Sequence, residues 1–255
     1  MPVDITSPAN VRIKWLVRLR QRRHRDAEGV FVVEGERLYT RALRSGLIPE
    51  ITFVEPDRSI ATTGPTVTVD PAALDRASYR QRSQSVIGVF PQLDTSLAAL
   101  SLPGPRSLLL IAEGIEKPGN LGAMLRTAAA AGADALVALG DTVDVHNPNV
   151  LRASTGAIFS VPSVVTTWDQ LDPWLATAGI RVLGATPTAT RTMWEADLRA
   201  AVALVLGAED SGLSRRALEA TEETILIPQA PGAVDSLNVS VAAAILLFEA
   251  RRQRN

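Results

Sequence analysis

No cysteine occurs in the 255 residues. Its absence excludes disulfides, thiolate metal sites and any mechanism that attacks through a cysteine nucleophile. Histidine is nearly as scarce, with only His24 and His146, far apart in the chain. That spacing encourages neither a histidine-rich metal site nor a Ser-His-Asp arrangement, and no metal is expected. Lysine occurs only at Lys14 and Lys117, so almost all positive charge is arginine. No run approaches the roughly 18 apolar residues of a spanning helix. The opening "MPVDITSPANVRIKW" lacks the apolar core of a secretory signal. A soluble, cytoplasmic protein is expected, without a membrane partner.

What charge there is lies unevenly. The net charge is −1, yet "VRIKWLVRLRQRRHR" (residues 11–25) carries seven basic residues and no acidic one. Such a stretch suits phosphates, and it equally suits a solvated amphipathic helix that packs Trp15, Leu16 and Leu19 on its own domain. Charge alone does not separate the two.

Periodicity predicts a small α/β unit first: a helix from about Ala9 to Arg25, strands at "VFVVEG", "ITFVE", "TVTVD" and "VIGVF", and helices at "ERLYTRALRSG" and "PAALDRAS". Pro103-Gly104-Pro105 interrupts regular structure, which places a linker at about 91–106 between domains at 1–98 and 106–255. The second segment opens with "SLLLIAEGI", a continuous apolar run of the kind buried on both faces of a parallel sheet. Further strands are expected at "ADALVALG", "FSVPSVV", "IRVLGAT", "VALVLGAE" and "ETILIP", alternating with helices. The fold class is therefore α/β with an open parallel sheet, whose ligand site should lie at the carboxyl ends of the strands.

Polar residues collect after three of those strands. "EKPGNLGAMLRTAAAAGA" follows the first, with Asn120 placed to cap a helix whose apolar stripe is Leu121, Met124, Leu125, Ala128 and Ala129; Arg126 lies off the centre of that stripe. "AEDSGLS" places Glu209 where the next helix begins, with Ser211 or Ser214 as its cap, and "QAPGAVDSLNVSVAAAILLFEA" offers Ser236 or Asn238 as another. Each is ordinary as a cap; together, glycine-containing loops at three strand ends form the pattern of a small-molecule pocket. No G-x-G-x-x-G or P-loop pattern occurs, which leaves a dinucleotide oxidoreductase without its fingerprint.

"GNLGAMLRTAAAAGA", "RASTGAIFSVP", "LVLGAEDSGLS" and "IPQAPGAVDSLNVSVAAAILLFEA" resemble, in order and spacing, the motifs of the SpoU/TrmH branch of the SPOUT superfamily, over nearly all of 107–252. Members are S-adenosylmethionine-dependent RNA 2'-O-ribose methyltransferases. "GVFVVEGERLYTRAL" resembles, less specifically, the ribosomal-protein-like RNA-binding domain that many members carry. The resemblance implies a SPOUT-type sheet with a C-terminal trefoil knot, a homodimer, and S-adenosylmethionine as cofactor. Folding rules alone make a knot the poorest guess.

Carried over by position, the resemblance makes Arg126, Asn120, Glu209, Ser236 and Asn238 the catalytic set. Gly207, Ile227 and Leu237 become cofactor contacts, together with Leu206, Pro228, Asn238 and the loop leading to Asn238. Arg126 is then the activator of the ribose hydroxyl, with Glu209 orienting Arg126 or Asn120. The implied partner is a structured RNA, 23S rRNA ahead of tRNA because of the appended basic domain. Rivals are a guanine N1-methyltransferase of another SPOUT branch, which the "SLNVSVA" motif disfavours, and a non-catalytic RNA-binding assembly factor.

Overall fold

The computed structural model describes residues 3–58, 60–79, 85–140, 144–230, 232 and 236–255. It divides into two compact units, residues 1–93 with 146–159, and residues 94–145 with 160–255.

In the first unit, α1 (Val11–Arg18), α2 (Arg22–Glu28), α3 (Glu36–Arg44) and α4 (Pro71–Ala77) accompany β1 (Val30–Glu34), β2 (Ile51–Val54), β3 (Thr66–Thr68) and β4 (Val86–Pro91). The strands form a mixed sheet in the order β1-β4-β2-β3. The single basic helix expected over residues 9–25 is instead two helices broken at residues 19–21. Polar contacts of two arginines, one local and one long-range, account for the break. Buried Arg25 donates to the carbonyls of Leu19 and Arg20, both at 2.9 Å, and satisfies the end of α1. Arg20 donates to the carbonyls of Arg76, at 2.8 Å, and Ser78, closing the end of α4. Ile13, Leu16 and Leu19 are buried and Trp15 packs against the same core, so the apolar face of the basic stretch belongs to its own unit. Its remaining cations stay outside.

The second unit carries β5 (Leu108–Glu113), α5 (Pro118–Ala131) and β6 (Ala135–Leu139). After these comes α6 (Pro148–Ala153), which belongs to the first unit. Then follow β7 (Ser163–Thr166), α7 (Trp168–Thr177), β8 (Arg181–Ala185), β9 (Arg191–Thr192), β10 (Val202–Leu206), α8 (Arg215–Ala220), β11 (Glu223–Leu226) and α9 (Val239–Arg254). Seven parallel strands run in the order β7-β6-β5-β10-β8-β11-β9. The continuous apolar runs behave as their composition predicts: all of β6 and β10, and β5 from Leu108 to Ala112, are buried. "FSVPSVV" is not one strand. Ala157–Phe159 forms a 3-10 turn and β7 starts only after Pro162, which has no N–H to give a ladder.

The strand order positions the site. β5 is flanked by β6 on one side and by β10 on the other, with Leu206 opposite Ala112. The connection leaving β5 runs to β6 and the one leaving the adjacent β10 runs the opposite way, to β11, and such a reversal opens a crevice at the carboxyl ends of the strands. α9 packs against α5.

Candidate active site

The loops after β5 and β10 are neighbours because their strands are. After β5, Lys117 is the N-cap and Pro118 the first helical residue of α5. Proline is suited there, since its missing N–H would have no helical partner and its φ is already helical. Asn120 therefore lies inside the first turn and does not cap the helix, contrary to expectation. Its Nδ2 instead donates to Oε1 of Glu209, 89 residues along the chain.

Glu209 also departs from its expected place at a helix start. It sits in a tight loop closed by two backbone bonds, Ala208 N–H to Gly212 O at 3.0 Å and Gly212 N–H to Ala208 O at 2.9 Å. Gly207 permits that closure: a Cβ there would stand 2.1 Å from Gly212 O. α8 begins later, capped by Ser214, whose Oγ accepts from Ala217 N–H at 3.0 Å. The far end of the loop is held by Glu113, which accepts from Ser214 N–H at 3.0 Å, Ser214 Oγ at 2.7 Å and Trp168 Nε1 at 2.6 Å.

Asn238 divides its amide between two tasks. Oδ1 caps α9, accepting from Ser240 N–H at 3.0 Å and Ser240 Oγ at 2.7 Å. Nδ2 is left to donate to Asn120 Oδ1 at 3.3 Å and Glu209 Oε1 at 3.4 Å. The expected capping role of Ser236 is not seen, because Asn238 fills it. Asn120 in the first turn of α5, Glu209 in the loop after β10 and Asn238 at the cap of α9 thus form a closed triangle of hydrogen bonds.

The cation on this triangle was not foreseen. Lys117 Nζ pairs with Oε2 of Glu209. That hydrogen bond, and then the charge of Glu209, raises the lysine pKa above its ordinary value. Arg126 is not part of the group. It is exposed on α5 and has no polar partner among the described residues. Of Arg126 and Asn120, the two residues Glu209 was expected to orient, Asn120 is the one hydrogen-bonded to it among the described residues.

A cleft of about 520 Å³ opens beside the triangle, in the size range of small-molecule sites. Leu206, Gly207, Glu209, Ile227, Ser236 and Leu237 line it. Pro228 and Asn238 adjoin lining residues without lining it themselves, and Asn120 and Arg126 also lie outside its walls. Residues 231 and 233–235 of the loop leading to Asn238 lie outside the described residues. Sequence reasoning missed Thr186, Pro187 and Thr188, which follow β8 and form another wall. The strand-end rule applied to "IRVLGAT" points to them. The donor set fits a nucleoside-bearing cofactor: Leu206, Ile227 and Leu237 supply apolar lining, the side chain absent at Gly207 lets the Gly212 backbone close the wall, and Ser236 and Thr188 offer hydroxyls.

Comparison with known proteins gives the same reading. Residues 107–248 match the model of the SpoU rRNA Methylase family, and residues 10–88 match the MRM3-like substrate binding domain. The chain is 32% identical to the 23S rRNA (guanosine(2553)-2'-O)-methyltransferase RlmP of Bacillus subtilis, over 97% of this chain and 99% of that one. Among solved structures, an RNA 2'-O ribose methyltransferase superposes with a TM-score of 0.85 at 40% identity, covering 98% of each chain. An AdoMet-bound rRNA methyltransferase from Sinorhizobium meliloti gives 0.89 at 30% identity, covering 97% of each. With a matched span that exceeds half its length and relatives aligned from end to end, the chain belongs to the SpoU rRNA methylase family.

Proposed function

We propose that the protein transfers a methyl group from S-adenosylmethionine to a ribose 2'-oxygen of a structured RNA, with 23S rRNA as the substrate class. The observation that carries this is the Asn120–Glu209–Asn238 triangle at the edge of a nucleoside-sized cleft. The 23S rRNA specificity named for RlmP and the substrate-binding span at 10–88 support the choice of RNA.

Leu206, Gly207, Ile227, Ser236 and Leu237 would hold the cofactor, which supplies a methyl group already activated on a sulfonium. The remaining work falls to the chain: aligning the ribose oxygen and easing the loss of its proton. Arg126 is exposed and has no polar partner among the described residues, so its guanidinium is available to an RNA phosphate and to the oxygen as negative charge develops. A guanidinium keeps its proton in proteins, so the role assigned to Arg126 is electrostatic stabilisation and not proton abstraction. Glu209 fixes both asparagine amides, and through them the first turns of α5 and α9. No covalent adduct is needed, in keeping with a chain without cysteine.

A homodimer belongs to the same reading. Val241 and Phe248 stand on the outer face of α9, 47% and 49% exposed, on a helix that packs beside the one bearing Arg126. An apolar stripe of this kind suits a second copy of the chain. The knotted C-terminus of the family belongs here too: β11 lies beyond β8, yet the chain returns so that α9 rests on α5. No helix among the described residues is long and apolar enough to cross a membrane, and the proposed place of action is the cytoplasm, where ribosomal RNA is made and folded.

The test is transfer of labelled methyl from S-adenosylmethionine to deproteinised 23S rRNA and tRNA, followed by nucleoside mass spectrometry, with Arg126→Ala as control. A 2'-O-methylnucleoside in 23S rRNA that disappears in the variant is expected. A methylated base, or label in tRNA alone, would overturn the reaction or the substrate respectively.

A further inference from the structure

We propose that Lys117 is a positioning residue for methyl transfer, acting through Glu209 and not through the RNA; this rests on reading the site as a methyltransferase centre.

Glu209 has two carboxylate oxygens with different duties. Oε1 receives the amides of Asn120 and Asn238, while Oε2 receives the ammonium of Lys117. A carboxylate that turned about its last torsion would exchange these oxygens or leave one amide unpaired. Lys117 removes that freedom by holding the second oxygen, and a charge-assisted hydrogen bond is strong enough to do so. The Lys117 side chain is 73% exposed and that of Glu209 only 23%. The lysine therefore closes the network from the solvent side while the carboxylate faces inward.

The local charge balance points the same way. Lys117 stands in the field of three carboxylates, those of Glu209, Asp210 and Glu116. Arg126, the cation within α5, takes no part among the described residues. In a chain whose positive charge is almost wholly arginine, one of two lysines occupies this position. An ammonium is a compact charge that satisfies one oxygen. A guanidinium would present a fork able to draw both oxygens toward solvent, away from the asparagines.

The experiment is a double-mutant cycle between K117Q and E209Q, read in kcat, KM for RNA and side-chain amide NMR. K117Q is expected to lower kcat about tenfold with little change in KM. In the E209Q background, K117Q should add nothing further. K117R, which keeps the charge, is expected to restore activity in part, and the resonances of the Asn120 and Asn238 side-chain amides should both move in K117Q. A rise in KM that persists in E209Q would mean direct contact with RNA and would overturn the proposal. So would unmoved amide resonances, which can be read without any RNA. If the wild type methylates no RNA, the proposed function fails, while the resonances still decide whether Lys117 holds the Asn120–Glu209–Asn238 network in place.

Discussion

Asn120 and Arg126 share helix α5, yet only Asn120 is joined to Glu209. Six residues along an α-helix turn the side chain about 120° away from its starting direction, which puts the two on different faces. The proposed site thus has two parts: a hydrogen-bonded triangle fixed in advance, and the Arg126 guanidinium on another face of α5, without a polar partner among the described residues.

This separation predicts different defects. Arg126→Ala should leave S-adenosylmethionine affinity within about twofold and reduce methyl transfer by at least about a hundredfold, since a charge-stabilising group acts chiefly in the transition state. Arg126→Lys should be nearly as impaired, because an ammonium lacks the planar fork. Calorimetric cofactor titration beside single-turnover methylation checks both, and near-native turnover in the lysine variant would sink the planar role.

Gly207 tolerates no side chain. In Gly207→Ala the new methyl group would meet the Gly212 carbonyl carbon at 2.2 Å and its oxygen at 2.1 Å, so the Glu209 loop must move. A loss of about 2–4 kcal/mol of stability is expected, along with cofactor binding weakened more than about tenfold. Unfolding curves and titration of the same sample report the two effects, and wild-type values for both would show that the loop yields without cost.

His146 makes the first unit acid-sensitive. Burial, and then the nearby charge of Arg25, hold its pKa down to about 4, with Arg22 adding to the effect and Asp26 opposing it. Its Nε2 accepts from Leu93 N–H at 3.1 Å and its ring stacks on Phe31 at 5.2 Å. The folded protein therefore refuses a proton that the unfolded chain accepts below about pH 6.5. Stability should fall as pH drops from about 6.5 to about 4, by roughly 3 kcal/mol at most from this group. His146→Gln should flatten that part of the profile; an unchanged slope would assign the acid sensitivity elsewhere.

If the proposed homodimer shares its sites, Arg126 of one chain serves the cleft of the other. Mixing inactive Arg126→Ala and Asn238→Ala chains should then restore part of the activity, up to about a quarter of the sites by random pairing. Native mass spectrometry confirms subunit exchange, and no recovery after exchange would place each complete site within a single chain.

Much of the second unit was legible from local signals. "SLLLIAEGI" reads as a strand buried on both faces because nothing polar interrupts its apolar run, "ADALVALG" and "VALVLGAE" read as further strands, and β5, β6 and β10 are those runs. The start of α5 was misread at Asn120 although Pro118 marks the first turn. Other features were not local. The break between α1 and α2 depends on where Arg20 and Arg25 find carbonyls, one set of which lies more than fifty residues away on α4. Lys117 meets Glu209 only because β10 inserts beside β5, and alternating strands and helices do not encode which strand lies next to which. Motif resemblance supplied the grouping of Asn120, Glu209 and Asn238 that periodicity could not.

The chain crosses between its two units three times: after Leu93, after Val145 and after Phe159. Dissecting the protein within the 91–106 linker would cut one crossing and leave the other two in the downstream piece. The upstream piece would lose His146 and Phe159 from the aromatic cluster on Phe31, and Arg41 would lose its acceptor at Thr155. The downstream piece would carry α6 with the otherwise buried Val150 and Leu151 turned to water. Each half, expressed separately, would present a raw apolar surface, so attempts to assay RNA docking and methyl transfer on isolated fragments should meet aggregation before they meet function.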